Sequence, residues 1–159
     1  MSLFNSSPLS EEYVNFIHPW FQAVLMETQR FANILPNGLQ HICRRDFTVN
    51  GLTIPANTLI QPLLTEILKG DYGLTFRPER FLDADGQIKK DEHLIPFSIG
   101  KRQCLGETLA KAELFLFFAN LVHQFKIHPE VEGELPSEDY INGLIILPMP
   151  FKARLKSRF

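Results

Sequence analysis

From Leu105 to Val122 the chain carries no proline and no glycine beyond Gly106, and Leu114-Phe115-Leu116-Phe117-Phe118-Ala119 is apolar on every side. A helix without a polar face does not belong on a surface, so the pattern predicts a helix buried at the centre of the fold. Other elements must then supply apolar cover. After Pro19, which suits a first helical turn, Phe21, Val24, Leu25 and Phe31 recur at helical spacing until Pro36 and Gly38 stop the run, predicting a helix over 19–33. Between Leu39 and Leu64 the chain is rich in Thr, Val, Ile and Leu, and Asn50-Gly51, Pro55 and Pro62 break it into short strands with a hairpin turn. Gly70 to Glu92 has no period and reads as an irregular, mostly surface segment. The tail from Gly143 to Phe159 alternates Phe151, Ala153 and Leu155 with Lys152, Arg154 and Lys156, a strand with one wet face. The expected fold class is α+β: helix, short strands, irregular meander, buried helix, C-terminal strands.

Length and charge narrow the function classes. A chain of 159 residues has the size of one domain and needs no disulfide framework to bury a core. Hydrophobic residues make up 45%, and 16 Lys+Arg against 18 Asp+Glu leave a net charge of −2, which argues against disorder and against a polycationic nucleic-acid binder. No run approaches the roughly 20 apolar residues that cross a bilayer, and the first ten residues lack the charged flank and apolar centre of a signal peptide. The expectation is a chain without its own membrane anchor. Two cysteines, Cys43 and Cys104, fit a reducing compartment or one cysteine with a chemical task.

That task points to Phe97-Ser98-Ile99-Gly100-Lys101-Arg102-Gln103-Cys104-Leu105-Gly106, an irregular loop entering the apolar helix. A thiol at a helix N-terminus meets unpaired N–H groups and the positive end of the dipole, which favour the thiolate as nucleophile or metal ligand. Gly100 and Gly106 have no Cβ, so a flat ligand has room against the backbone on both sides of the sulfur. Arg102 supplies a cation for an acidic group on such a ligand. The simplest alternative is a small packed hydrophobe. A phosphatase-type cysteine wants Arg six residues on, where Ala110 stands, and His93 and His123 are too distant for a local zinc site. Asp83-Ala84-Asp85-Gly86 hints at a calcium loop, but Leu94 occupies the place of the bidentate Glu, leaving a surface turn. Cys43 reads as packing, and the basic tail residues Lys152, Arg154, Lys156 and Arg158 as a guarded strand edge.

The loop satisfies Phe-x-x-Gly-x-Arg-x-Cys-x-Gly, five specified residues at fixed offsets, and so resembles the haem-binding loop of the cytochrome P-450 family. The resemblance implies that Cys104 is the axial thiolate of haem iron, with Phe97, Gly100, Arg102 and Gly106 around it. Glu27-Thr28-Gln29-Arg30 resembles the family's Glu-x-x-Arg motif, although such a pair is otherwise most often a solvated surface pair. Phe76-Arg77-Pro78-Glu79-Arg80-Phe81 resembles its Pro-Glu-Arg-Phe element, so that Glu27, Arg30 and Arg80 are expected to form a buried structural network. Leu35 to His41 resembles the strand lining the substrate pocket in the microsomal branch, where a histidine contacts a haem propionate; His41 is otherwise an exposed strand histidine. Asn142-Gly143-Leu144-Ile145 resembles the hairpin tip entering the same pocket, or is an ordinary turn. The pocket candidates are Leu35, Asn37, Leu39, Leu144 and Ile145.

The similarity divides the chain into an unassigned segment 1–17, a partial cytochrome P-450 domain 18–155 on the proximal haem side, and a tail 156–159. The distal helix with its acid and Thr, the N-terminal anchor, and the Asp-Pro-x-x-Trp stretch expected between Leu68 and Phe76 have no counterpart, which leads to the expectation of a C-terminal fragment. The family implies a haem-thiolate monooxygenase that inserts one oxygen atom from O2 into a small apolar substrate. Electrons come from NADPH through a flavoprotein reductase, with Lys101 a candidate contact, at the cytoplasmic face of the endoplasmic reticulum membrane. The alternative is a non-catalytic haem-binding or vestigial domain.

Overall fold

The computed structural model describes residues 19–70 and 73–159; segment 1–17 and His18, the expected domain start, lie outside them. Helix α1 spans Pro19–Ala32. It ends at Asn33, whose φ of 43° places it in the left-handed region while its N–H still donates to Gln29 O at 3.2 Å. Strand β1 (His41–Ile42) pairs antiparallel with β4 (Leu59–Ile60). Between them β2 (Phe47–Val49) and β3 (Leu52–Ile54) form a hairpin whose two loop residues, Asn50 and Gly51, have φ of 48° and 78°. Positive φ at both positions is what a two-residue hairpin turn with matching twist requires. Gly51→Ala puts a Cβ into that conformation and is expected to lower the unfolding free energy by about 1–2 kcal/mol, seen as an earlier urea midpoint with unchanged slope.

A short helix α2 (Leu64–Lys69) follows, then a 3-10 turn at Pro78–Phe81, a second at Gly100–Arg102, and helix α3 (Glu107–Gln124). Strand β5 (Phe125–Pro129) pairs with β8 (Ala153–Ser157), and β6 (Tyr140–Ile141) with β7 (Leu147–Pro148). The chain is an α+β assembly of three helices and four two-stranded antiparallel sheets among the described residues. None of these helices is long and apolar enough to cross a membrane. The core lies between α1, α2 and the Pro78–Phe81 turn, where Ala23, Leu64, Leu68 and Phe81 are buried beside Glu27, Arg30 and Asn33. The Asp83 turn is a surface feature: Asp83 Oδ1 accepts from the N–H groups of Asp85 and Gln87, each at 2.9 Å. Cys43 is buried, its Sγ donating to Arg45 O at 2.7 Å.

Two expectations need correction. Helix α3 forms, but of its residues only Ala119 is buried, and Phe117 is 74% exposed. One side meets α1, where Phe21 lies edge-on to Phe115 at 5.5 Å and stacked on Phe118 at 5.3 Å. No described layer covers the other sides, so the all-round apolar sequence has surface to spare. The C-terminal strand β8 likewise forms, but all five of its residues are exposed, and among the described residues no further strand joins the β5–β8 sheet. The expected dry face is wet.

Candidate functional site

The buried network is built from α1 outward. Glu27 and Arg30 are one helical turn apart and face the core, with side chains 0% and 1% exposed. Arg30 Nε and Nη2 donate to the two Glu27 carboxylate oxygens at 2.7 and 2.9 Å, a bidentate pair. Arg80 Nε, from the 3-10 turn, stands 3.1 Å from Glu27 Oε2, and the Arg77 N–H donates to Oε1 at 2.6 Å. Arg30 Nη1 donates to Leu68 O and Gly73 O, and Nη2 to Thr75 O, which also accepts from Arg80 Nη2. One carboxylate and two guanidinium groups thereby tie α1 to the end of α2 and to the irregular segment.

Burial alone would raise the Glu27 pKa. The Arg30 hydrogen bonds, the Arg77 N–H and the charges of Arg30 and Arg80 outweigh it and hold the carboxyl below its ordinary 4.5. Because the folded value is the depressed one, this stabilisation is complete above the unfolded value and disappears as pH falls through the folded value. Acidification below about pH 4.5 should therefore lower Tm, and Glu27→Gln should flatten that limb of the Tm-against-pH curve.

The cysteine loop is a closed turn. Cys104 N–H donates to Phe97 O at 2.9 Å, so Phe97 and Cys104 sit side by side, with Gln103 N–H bonded to Gly100 O at 3.1 Å. Gly100 has φ +83° and no atom within 4 Å of where its Cβ would stand, so glycine serves the turn there. Cys104 lies two residues before Gly106, the N-cap of α3, and its carbonyl accepts from Glu107 N–H at 3.4 Å. Its sulfur is free and the residue is exposed.

That residue opens into a cavity of about 1030 Å³ bounded by the loop, by the segment after α1 and by one side of α3. Phe97, Arg102 and Cys104 line it from the loop, and Leu35, Leu39 and His41 from the opposite segment. From α3 come Leu114, Phe117, Phe118 and Leu121. Their spacing of i, i+3, i+4, i+7 is a cavity-facing stripe hidden within a sequence that is apolar all round. Gln29, Glu113 and Ser98 also line the wall and were not singled out from the sequence.

Other candidates fall elsewhere. Asn37 is exposed and bridged to Leu63, next to Gly38 N–H donating to Pro62 O, and this pairing holds it in a strand-like link outside the lining. Leu144, 84% exposed, and Ile145 lie beyond the point where Ile146 N–H donates to Ile34 O, and they do not line the cavity. Gly100 and Gly106 are also outside the lining, and Lys101 is exposed on the loop.

The donor set fits a haem. Among the described residues no three His, Cys, Asp or Glu side chains gather to cage a metal, so the cavity presents a single sulfur, suited to an iron that brings its own equatorial ligands. A Cβ at Gly106 would stand 3.9 Å from the Cys104 sulfur, in ordinary van der Waals contact with it, so Gly106 lies beside the sulfur. Arg102 and His41 stand on a largely apolar wall that also carries Gln29, Asn33, Ser98, Gln103 and Glu113, and Arg102 is its one fixed cation among the described residues.

Comparison with known proteins agrees with this geometry. The family model described as cytochrome P450 matches residues 18–155. Cytochrome P450 2D14 of Bos taurus is 42% identical over 138 residues, which is 84% of this chain and 28% of that protein. Cytochrome P450 2D3 of Rattus norvegicus is 41% identical and cytochrome P450 2D19 of Callithrix jacchus 40%, with the same coverage. The chain spans 28% of the length of these relatives. Because the match runs through the Glu27 network, the cysteine loop and the cavity wall together, this chain belongs to the cytochrome P450 family.

Proposed function

We propose that the chain is the proximal, haem-holding part of a haem-thiolate monooxygenase acting on small apolar substrates. The observation that carries this reading is the exposed Cys104 at the mouth of a largely apolar cavity with Arg102 and His41 in its wall. When bound, haem supplies the activation of dioxygen, and a thiolate ligand favours O–O cleavage. The chain's own residues do the rest. Cys104 would supply the sulfur ligand, and the main-chain hydrogen bond from Cys104 N–H to Phe97 O fixes its position. Arg102 and His41 would hold the haem's propionates. Leu35 and Leu39 would present apolar surface to substrate, and the α3 stripe an apolar wall to the bound group. Electrons come from NADPH through a flavoprotein reductase docking near Lys101, at the cytoplasmic face of the endoplasmic reticulum membrane.

The test is haem titration of the chain, followed by reduction and addition of carbon monoxide; a thiolate-type red-shifted Soret band is expected, and an unshifted band overturns the reading. A second reading, haem binding without oxygenation, is favoured by the exposure of Phe117 on the cavity wall, since an open wall admits water to reactive species. Product formation from an apolar substrate with reductase and NADPH separates the two.

A further inference from the structure

The C-terminal hairpin, β6 and β7 with residues 142–146 between them, has little to hold it in place. Its strands pair over two residues each, and Tyr140, Ile141 and Leu147 are all about half exposed. A lone hairpin of this size is not stable in water. Yet it bonds to the cavity wall: Ile146 N–H donates to Ile34 O at 2.8 Å, and Ile34 and Leu35 line the cavity. Something else must hold the hairpin in register with α1.

Lys69, the last residue of α2, stands where it can. Its Nζ lies 5.6 Å from the centroid of the Phe31 ring on α1 and 5.8 Å from that of the Tyr140 ring on β6. Phe31 is itself fixed, edge-on to Phe76 at 5.7 Å and beneath the Arg30 guanidinium at 6.0 Å. We propose that Lys69 is a positioning residue for the cavity, its ammonium clamped between Phe31 and Tyr140 so that the hairpin holds the Ile34–Leu35 wall.

A lysine in the last turn of α2 also meets the negative end of that helix, but the helix end does not account for the two ring contacts. Partial burial and the nearby Arg30 charge both act against the ammonium and lower its pKa from the ordinary 10.5. The negative faces of two rings act in the opposite sense, favouring the cation. A methionine of similar length would suit the burial and escape the repulsion, but it would lose both ring contacts. The clamp gives the charge a role beyond the helix end, and it couples the structural network to the wall of the candidate site, since Arg30 Nη1 bonds Leu68 O, one residue before Lys69.

Hydrogen exchange of the full chain tests the clamp without haem. Lys69→Met is expected to speed exchange of the Ile146 amide about tenfold while the amides of the α1 core keep their protection, and Lys69→Arg, which retains a cation over the rings, is expected to restore it. Exchange at Ile146 unchanged in Lys69→Met, or unrestored in Lys69→Arg, overturns the inference. The consequence for the cavity rests on the function proposed above and is read separately, as haem affinity from quenching of Trp20. Affinity is expected to fall several-fold in Lys69→Met and return in Lys69→Arg. Affinity equal in both variants and the unaltered chain overturns the positioning role. If even the unaltered chain takes up no haem, the haem reading falls, and the Ile146 exchange still decides the clamp.

Discussion

Cys104→Ala is expected to abolish the thiolate-type spectrum of the haem-loaded, reduced, carbon monoxide-bound protein. The reason is that, among the described residues, no other sulfur lines the cavity. Cys43 is buried away from it with its Sγ bonded to Arg45 O, and it does not line the wall. Removing the sulfur leaves the apolar wall, Arg102 and His41 in place, so haem should still enter, more weakly, through burial of apolar surface and propionate contacts. Cys104→Ala therefore separates ligation from partition: uptake persists in part and the signature goes. Cys43→Ala is the control and should leave the spectrum unchanged. A thiolate-type band that survives in Cys104→Ala would falsify the ligand assignment.

What the sequence made legible depended on whether the determining physics was local. The turn at Asn50-Gly51 was legible because positive φ is a property of two residues. The cysteine loop was legible because its geometry needs particular residue types at fixed offsets. The meeting of Glu27, Arg30 and Arg80 spans some fifty residues, and only the family resemblance suggested it; the spacing of Glu27 and Arg30 alone also describes a solvated pair. Helix α3 was legible as a helix and misjudged as buried, because burial depends on what other elements supply. Its apolar residues serve two purposes, packing on Phe21 and lining the cavity, and a stretch apolar on all sides hides which residue does which. The short helix α2 and strand β5 escaped the reading, being too brief for a period to stand out. Asn37, Leu144 and Ile145 were assigned to a pocket by family resemblance, whereas a bridge to Leu63 and the Ile146–Ile34 bond decide where that chain runs.

Glu27→Ala is expected to destabilise the chain by about 3–5 kcal/mol, measured by urea unfolding. The cost comes from what is left behind rather than from the contact removed. Arg30 and Arg80, with side chains 1% and 6% exposed, would keep their charges without the carboxylate that compensates both, and the Arg77 N–H would lose its acceptor. Arg30→Met should cost a similar amount by the opposite route: Glu27 loses its bidentate partner, and Leu68 O, Gly73 O and Thr75 O lose donors that hold the end of α2 and the following segment. Arg30→Lys should rescue little, because one ammonium cannot reproduce a planar fork that bonds a carboxylate and three carbonyls at once. Against a total stability of about 5–15 kcal/mol, either loss leaves the fold marginal. If Glu27→Ala instead unfolds within about 1 kcal/mol of the unaltered chain, the three side chains are solvated in solution and the network does not hold the cysteine loop's scaffold together.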